Sequence, residues 1–320
     1  MAHPAMPTRP LAHPGNGRCN ESMNIQAWLG EMPKQQFVEQ YYHKLPYSRS
    51  GGGRQACPLG SWEMIGSIVG QDDADVMIVR QGEQYGGEQP RSLEAAQALS
   101  ADGYTVLIRH AERQDSRLHE LAASFQADFG GAVNLHIYAT PANNYGFGWH
   151  YDAEEVFILQ TTGRKEYSLR KNTVNPWPLI ETLPEDMSYE RERMPLVRCT
   201  LKAGDWLYIP AGYWHMGQAE EAAISLAIGM MAPAALDIYD YLRGRLLDSL
   251  LWRQRLPVGG ESGFMSEDQL KQHYEQLLSM LARDLDRTLR DENFLQGFLT
   301  HLRTMGSPEP LMVSNYREEK

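Results

Sequence analysis

Two stretches of this sequence decide its fold: Gly146–Asp152, which reads GFGWHYD, and Gly204–His215, which reads GDWLYIPAGYWH. The first ends in a His-x-Asp motif, His150 to Asp152, and an apolar run follows it. The second has the pattern Gly-x5-Pro-x-Gly-x2-His, in which glycine and proline form a tight turn and His215 begins the next strand. This pattern is typical of double-stranded β-helices that bind a metal.

The three polar side chains of these motifs form one donor set. On an extended strand, residues two apart point to the same side, so His150 and Asp152 would face one cavity while Tyr151 faces away. With His215 they offer two imidazoles and one carboxylate, the set that holds Fe(II) on one face and leaves positions open for a co-substrate and O₂. Either motif alone is also compatible with a surface pair or a structural histidine. Their combination predicts a metal site.

A lysine beside these motifs suggests a second ligand. Lys165 follows Gly163 and Arg164, on the return strand of the hairpin that begins at the first motif. Inside a barrel its ammonium would face the open coordination positions, and a buried ammonium needs an anion. A carboxylate of 2-oxoglutarate would supply that anion. The alternative is a solvated lysine in a basic turn.

Composition narrows the classes of function. Of the 320 residues 42% are hydrophobic, enough for a sizeable core. The formal charge is −11 and the isoelectric point about 5.4, which argues against direct binding of nucleic acid. The acidity is compatible with a basic protein or peptide as partner, and it is also explained by solubility alone.

Cysteine usage and hydropathy indicate the compartment. The three cysteines, Cys19, Cys57 and Cys199, are scattered and form no Cys-x-x-Cys pair, which favours a reducing, cytoplasmic location. We find no apolar run near the roughly 20 residues that cross a bilayer, so no membrane association is predicted.

Local patterns divide the chain into three regions. Residues 1–24 are predicted to be a mobile tail, 25–235 a β-rich domain with helices in front, and 236–320 a helical region. Helices are predicted over Ile25–Tyr42 (interrupted at Pro33), Trp62–Val69, Ser92–Leu99 and Asp115–Phe129. Strands are predicted over Asp75–Arg80, Tyr104–Arg109, Val133–Ala139, Glu155–Thr161, Lys165–Leu169, Val197–Leu201, Asp205–Ile209 and Ala222–Met230. The fold class is therefore mainly β with helices (α+β), a jelly-roll or cupin core between N-terminal helices and a C-terminal helical region.

The C-terminal region carries apolar stripes at helical spacing. The patterns are Leu236–Trp252, Ser266–Leu289, where Ser266 and Gln269 form a capping box, and Phe294–Leu302. Such stripes must pack on something. A homodimer through these helices and a lid over the same chain are the two alternatives.

The motifs resemble those of the JmjC/cupin-type 2-oxoglutarate oxygenases, and within that group the ribosomal oxygenases, which hydroxylate ribosomal proteins. The segments that carry the resemblance are Tyr138–Pro141, His150–Asp152, Val156–Gln160, Gly163–Lys165 and Pro210–His215. The resemblance implies His150, Asp152 and His215 as iron ligands. It implies Lys165 as the partner of the distal 2-oxoglutarate carboxylate, helped by the Tyr138 hydroxyl.

Two departures from that group concern the proximal end of 2-oxoglutarate. His136 stands where the group often has an asparagine, two residues before Tyr138. On the last barrel strand, where a serine or asparagine can assist, the nearest candidate is Ser225. Ser225 or Asn134 is therefore expected to take over this role.

The resemblance implies an enzyme that uses Fe(II), 2-oxoglutarate and O₂ to hydroxylate an amino-acid side chain, releasing succinate and CO₂. A protein or peptide is the expected substrate, and a ribosomal protein is one candidate. Ribosomal oxygenases also have a winged-helix domain, whereas residues 236–320 are enough for helices only. A small amino-acid-type substrate and lysine demethylation therefore stay open. Two other classes are disfavoured. A cupin that does not use 2-oxoglutarate usually has a histidine in place of Asp152, and a non-catalytic module need not keep all three ligand residues, which are all present here.

Overall fold

The computed structural model describes residues 23–185, 194, 196–258 and 265–305. All but the last two residues of the predicted tail lie outside this part. The described residues fall into two compact units. The first contains the described residues of 23–125 and Asn134–Gly229. The second contains Gln126–Val133 and the described residues of 230–305. The predicted boundary between a β-rich domain and a helical region at 235/236 stays a proposal.

Five α-helices precede or interrupt the first strands. They are α1 (Ile25–Leu29), α2 (Lys34–Gln40), α3 (Trp62–Val69), α4 (Leu93–Ala101) and α5 (Ser116–Phe129), with a 3-10 helix at Arg54–Leu59. Pro33 separates α1 from α2, since proline cannot donate the amide hydrogen bond that a continuous helix needs. Ser61 and Ser92 begin α3 and α4 by accepting the backbone N–H of Met64 and Ala95.

Eleven strands, counted among the described residues, build two antiparallel sheets. They are β1 (Tyr47–Arg49), β2 (Asp75–Arg80), β3 (Glu83–Gln84), β4 (Thr105–Arg109), β5 (Ala132–Thr140), β6 (Glu155–Thr162), β7 (Arg164–Arg170), β8 (Val197–Lys202), β9 (Trp206–Ile209), β10 (Trp214–Ala219) and β11 (Ala223–Met231). The larger sheet has the order β1-β9-β6-β11-β5-β4-β2-β3 and the smaller one β10-β7-β8.

The inner faces of the two sheets form one apolar core. Alternate residues of the strands meet there, because successive side chains of a strand point to opposite faces. The larger sheet contributes Val156, Ile158, Leu207, Ile209 and Ala227, and the smaller one Tyr167, Leu169 and Leu201. Two facing antiparallel sheets around one core are the expected double-stranded β-helix, so the predicted mixed α+β class is confirmed.

The elements differ from the predictions at a few places. His150 and Asp152 do not lie on a strand: they lie in a connection before β6, and His150 makes only an isolated bridge to His215. Positive φ angles at Gly146 and Gly148 turn the chain here and prevent regular pairing. The two short strands β1 and β3 were not predicted, since two or three residues carry no detectable alternation.

Three helices are described in the second unit, α6 (Ala235–Leu246), α7 (Glu267–Leu289) and α8 (Glu292–Thr304), and the count covers only residues 230–258 and 265–305. The predicted capping box of Ser266 and Gln269 begins α7, whereas α6 ends earlier than the predicted Trp252. Tyr241 of α6 packs its ring against Phe294 and Phe298 of α8. Within the described ranges, no helix combines the length and apolarity needed to cross a membrane.

Candidate metal centre

His150, Asp152 and His215 converge at one point in the first unit. Asp152 Oδ2 lies 4.0 Å from His150 Nε2 and 3.4 Å from His215 Nε2, and the three ligand atoms lie within 4.8 Å of one another. Two imidazole nitrogens and one carboxylate oxygen at this spacing could hold a metal ion on one face.

Backbone hydrogen bonds position these three residues. His150 and His215 exchange amide hydrogen bonds, at 3.1 Å and 2.8 Å, although they are distant in the sequence. The N–H of Gly212, in the Pro-Ala-Gly turn, donates to the carbonyl oxygen of Asp152 at 2.9 Å. The turn predicted from Gly204–His215 thus holds the two motifs together.

The tautomers of both histidines suit metal binding. His150 Nδ1 lies 2.9 Å from the carbonyl oxygen of Gly148, and His215 Nδ1 lies 3.0 Å from that of Tyr213. A carbonyl can only accept, so each Nδ1 carries the proton and each Nε2 keeps a free lone pair. Burial, with the neighbouring His150, lowers the pKa of His215 to about 4, which keeps this imidazole neutral at physiological pH.

The three residues line a cavity of about 350 Å³. Its wall comes from strands of both sheets and from the loop before His150. Polar groups in the wall are Thr105, Arg109, His136, Tyr138, Thr140, Tyr145, Glu154, Lys165, Tyr167 and Ser225. The cavity is therefore large and polar enough for small molecules beside a metal.

Lys165 is buried in the wall of this cavity and is 7% exposed. Its ammonium donates to Thr140 Oγ1 at 3.3 Å and lies 5.8 Å from the ring centre of Tyr138. In the described part of the chain no carboxylate lies within 4.0 Å of this nitrogen. Burial lowers its pKa to about 8, because the charged form loses its hydration without gaining a counter-ion.

Tyr138 and Ser225 also line the cavity. Burial, with the nearby carboxylate of Asp152, raises the pKa of Tyr138, so its hydroxyl keeps its proton. Ser225 Oγ donates to Gln160 Oε1 at 2.9 Å and lies 3.2 Å from the hydroxyl of Tyr167. The structure thus brings Lys165, Tyr138 and Ser225 to the cavity that the metal ligands line.

Asn134 is placed differently. It is not among the described residues that line the cavity, and its amide nitrogen donates to Glu154 Oε1 at 2.5 Å. Sequence reasoning missed Glu154, Thr140 and Tyr167. The alternation of side chains along a strand could have identified Thr140 and Tyr167. Thr140 is two residues from Tyr138 on β5, and Tyr167 is two residues from Lys165 on β7.

Comparison with known proteins identifies this region. Residues 106–238 match the family model of the JmjC domain. The bifunctional lysine-specific demethylase and histidyl-hydroxylase NO66 of Dictyostelium discoideum is 32% identical over 190 residues, which cover 57% of this chain and 34% of that protein. Human ribosomal oxygenase 1 is 30% identical over 132 residues, 41% of this chain and 21% of that protein. The chain thus spans about a third or less of these curated relatives.

Solved structures give the same fold. YcfD, a ribosomal oxygenase from Escherichia coli, superposes with a TM-score of 0.57 and 17% identity over 88% of this chain and 72% of its own. A structure of YcfD in complex with cobalt and 2-oxoglutarate superposes with a TM-score of 0.58 and 16% identity, over 88% and 73% of the two chains. The fold and the resemblance predicted from the motifs are confirmed: residues 106–238 match the JmjC domain, and the chain shares the double-stranded β-helix fold of YcfD.

Proposed function

We propose that this protein is an Fe(II)- and 2-oxoglutarate-dependent oxygenase that hydroxylates an amino-acid side chain in a protein or peptide. One observation carries the proposal: a two-histidine, one-carboxylate set lines the same cavity as a buried ammonium that none of the described carboxylates approaches within 4.0 Å. The first group fits ferrous iron, and the second fits the carboxylate of a keto acid.

His150, Asp152 and His215 are the proposed iron ligands. Both imidazoles present Nε2 with its lone pair free, because their Nδ1 atoms are bonded to carbonyl oxygens. One carboxylate in place of a third histidine adds a negative charge, which favours a cation and fits the facial set of Fe(II) oxygenases. When bound, iron and 2-oxoglutarate would supply O₂-dependent hydroxylation of an unactivated carbon, with release of succinate and CO₂.

Lys165 is the proposed partner of the distal carboxylate of 2-oxoglutarate. Its ammonium is desolvated, and Thr140 Oγ1 accepts one of its three protons. Tyr138 keeps a protonated hydroxyl as a second donor, and Ser225 is proposed near the proximal end of the keto acid. The sequence-based prediction for Asn134 at that end stays a prediction, although the contact of Asn134 with Glu154 supports another role.

A protein substrate is supported by the relatives, whose names include ribosomal oxygenase and histidyl-hydroxylase. A ribosomal protein is thus one candidate for this chain. The NO66 name also includes lysine-specific demethylase, and demethylation shares the same iron chemistry. Mass spectrometry separates the two, because hydroxylation adds one oxygen atom whereas demethylation removes a methyl group.

A homodimer through the C-terminal helices is also proposed. Large apolar side chains of this region are exposed in the single chain, among them Leu236, Leu250, Leu278 and Leu295. Burial against a second copy would remove them from water. A cytoplasmic location is proposed as well. Cys57 and Cys199 are free thiols, as expected in a reducing compartment, and Cys19 lies outside the described residues.

Two measurements test the proposed function. The wild type should bind Mn(II), an oxygen-stable substitute for Fe(II), and should form succinate from 2-oxoglutarate when Fe(II) and O₂ are present. His215→Ala should lose Mn(II) binding, and Lys165→Ala should retain it but bind 2-oxoglutarate at least tenfold more weakly. Lys202→Ala, which removes an exposed lysine of β8, is the matched control. Equal Mn(II) binding by His215→Ala, or equal 2-oxoglutarate binding by Lys165→Ala, would refute the assignment.

A further inference from the structure

The loop that follows strand β7 begins beside the proposed metal centre. Leu169, near the end of β7, pairs with His215 of β10. The loop, residues 172–185, also lies directly against the turn at Gly212, because a Cβ atom at position 212 would come 2.9 Å from the carbonyl oxygen of Pro176. A molecule bound to this loop would therefore lie close to the metal ligands.

Three large apolar side chains of this loop are exposed to solvent. They are Val174, Trp177 and Ile180, and Trp177 is 84% exposed. Exposed apolar side chains grouped on one loop are typical of a surface that a partner covers. Tryptophan is also among the residue types that contribute most to the binding energy of protein interfaces.

The backbone of the loop is restrained by its own polar side chains. Asn172 is buried, and its Oδ1 accepts the N–H groups of Val174 and Asn175 at 3.0 and 2.9 Å. The side-chain amide of Asn175 donates to the carbonyl oxygen of Thr182 at 3.3 Å. Prolines on both sides of Trp177 restrict the backbone further, because the proline ring fixes φ. Trp177 is thus presented from a restrained backbone, which lowers the conformational cost of binding a partner.

The charge of the loop indicates the chemistry of its partner. Residues 172–185 include two exposed carboxylates, Glu181 and Glu185, and neither a lysine nor an arginine. The whole chain has a formal charge of −11. Opposite charges favour association, whereas like charges brought together oppose it. A positively charged partner is therefore favoured over a second copy of this chain.

We infer that Val174, Trp177 and Ile180 form a docking surface for the protein substrate, and that the segment bound there combines apolar side chains with a net positive charge. The inference rests on the proposed function and adds to it a contact with the substrate outside the cavity. None of these three described residues lines the cavity, so docking of the substrate and binding of metal and keto acid use separate groups.

Two matched peptides test this surface. Both carry a fluorescent label and repeat the unit Ser-Leu-X-Gly, where X is arginine in the basic peptide and glutamate in the acidic one. Each peptide is titrated into the full chain, with and without Mn(II) and 2-oxoglutarate, and binding is followed by fluorescence anisotropy. The wild type should bind the basic peptide about tenfold more tightly or better, and added salt should reduce the difference.

Substitutions of Trp177 then assign the binding to the loop. Trp177→Ala should weaken binding of the basic peptide about tenfold or more, as truncation of an aromatic anchor does, whereas Trp177→Phe should retain most of it. Because the side chain is exposed, both variants should keep the melting temperature and the 2-oxoglutarate affinity of the wild type. Val38→Ala, which truncates an exposed apolar side chain of α2, is the matched control and should bind the peptide normally.

Charge variants test the second part of the inference. Glu181→Gln combined with Glu185→Gln should reduce the preference for the basic peptide, whereas Asp72→Asn combined with Glu88→Gln, two exposed carboxylates elsewhere in the first unit, should not.

Three results would overturn the inference. They are equal binding of both peptides by the wild type, an unchanged affinity in Trp177→Ala, and a Trp177→Ala variant that sediments as a smaller species than the wild type, which would assign the surface to a second copy. Because Mn(II) and 2-oxoglutarate binding are measured on the same samples, failure of the proposed function itself would be seen separately.

Discussion

His150 and His215 donate their backbone N–H groups to each other's carbonyl oxygens, at 3.1 and 2.8 Å. The two proposed metal ligands furthest apart in the sequence are therefore held by the same antiparallel bridge. The centres of their imidazole rings lie 4.2 Å apart. A backbone bridge that restrains two ligands in this way lowers the conformational cost of metal binding.

The turn at Gly212 should control both stability and metal affinity. Its φ is +79°, and a Cβ here would collide with the carbonyl oxygen of Pro176 and the ring of Pro178. Gly212→Ala should lower the free energy of unfolding by about 1–2 kcal/mol or more and weaken Mn(II) binding, since the Gly212 N–H also holds Asp152. Thermal melts and Mn(II) titrations measure the two effects.

Gly244 provides the matched control for that substitution. It lies inside α6, and a Cβ there would meet nothing within 4 Å. Gly244→Ala should therefore stabilise the protein by about 0.5–1 kcal/mol through helix propensity and leave metal affinity unchanged. Equal behaviour of the two alanine variants would contradict the role given to the turn.

Replacement of Lys165 by methionine should separate stability from binding. The ammonium is desolvated, and no carboxylate among the residues that the structure describes lies within 4.0 Å of it. Removal of its charge should therefore stabilise the unliganded protein, by about 1–4 kcal/mol by analogy with other buried charges. The same variant should lose 2-oxoglutarate binding. Denaturant unfolding and calorimetric titration test this pair of opposite effects, and a Lys165→Met protein that is less stable without ligand would contradict it.

Lys165 should make both the free energy of unfolding and the affinity for 2-oxoglutarate depend on pH. Its folded-state pKa is about 8, below the ordinary value of 10.5, so the unfolded chain binds more protons between these values. The contribution of Lys165 to stability should therefore rise as the pH increases from about 8 to 10.5. The affinity for 2-oxoglutarate should fall over the same range, because the ammonium is lost. Titrations of wild type and Lys165→Met at several pH values test this, and equal slopes would contradict it.

Ser225 should contribute to stability through a buried hydrogen-bond chain. Its hydroxyl connects Gln160 Oε1 to the hydroxyl of Tyr167. Ser225→Ala leaves the Gln160 acceptor unsatisfied and should cost about 1–3 kcal/mol. If Ser225 also contacts the keto acid, the Kd for 2-oxoglutarate should increase as well. A loss of stability with an unchanged Kd would assign Ser225 a purely structural role.

The proposed dimer can be tested on the exposed apolar residues of the second unit. Leu278 of α7 is 62% exposed and Leu250, after α6, is 78% exposed in the single chain. Leu278→Arg combined with Leu250→Arg should convert a dimer to a monomer in sedimentation velocity. Because both side chains are exposed in the monomer, the monomeric variant should remain folded by circular dichroism. A wild type that sediments as a monomer at micromolar concentration would exclude the dimer.

Short-range pattern was sufficient to predict the fold and the convergence of His150, Asp152 and His215 at one point. The residues that form the turn and the candidate ligand His215 lie within one segment, Gly204–His215, so this motif can be recognised from the sequence alone. Glu154 was not found because its position in the cavity wall depends on contacts with Asn134 of β5 and with Gly229 of β11. Strand register decides which residues meet, and it cannot be read from a single sequence with comparable certainty.

The polar side chains on one face of β5 make two separate contacts: Thr140 meets Lys165, and Asn134 meets Glu154. Energetic effects of substitutions usually add when the sites are more than about 10 Å apart, and Asn134 and Thr140 exceed that distance. Substitutions at Asn134 should therefore leave the surroundings of Lys165 and Thr140 intact, and their effects on stability should add to those of substitutions at Thr140.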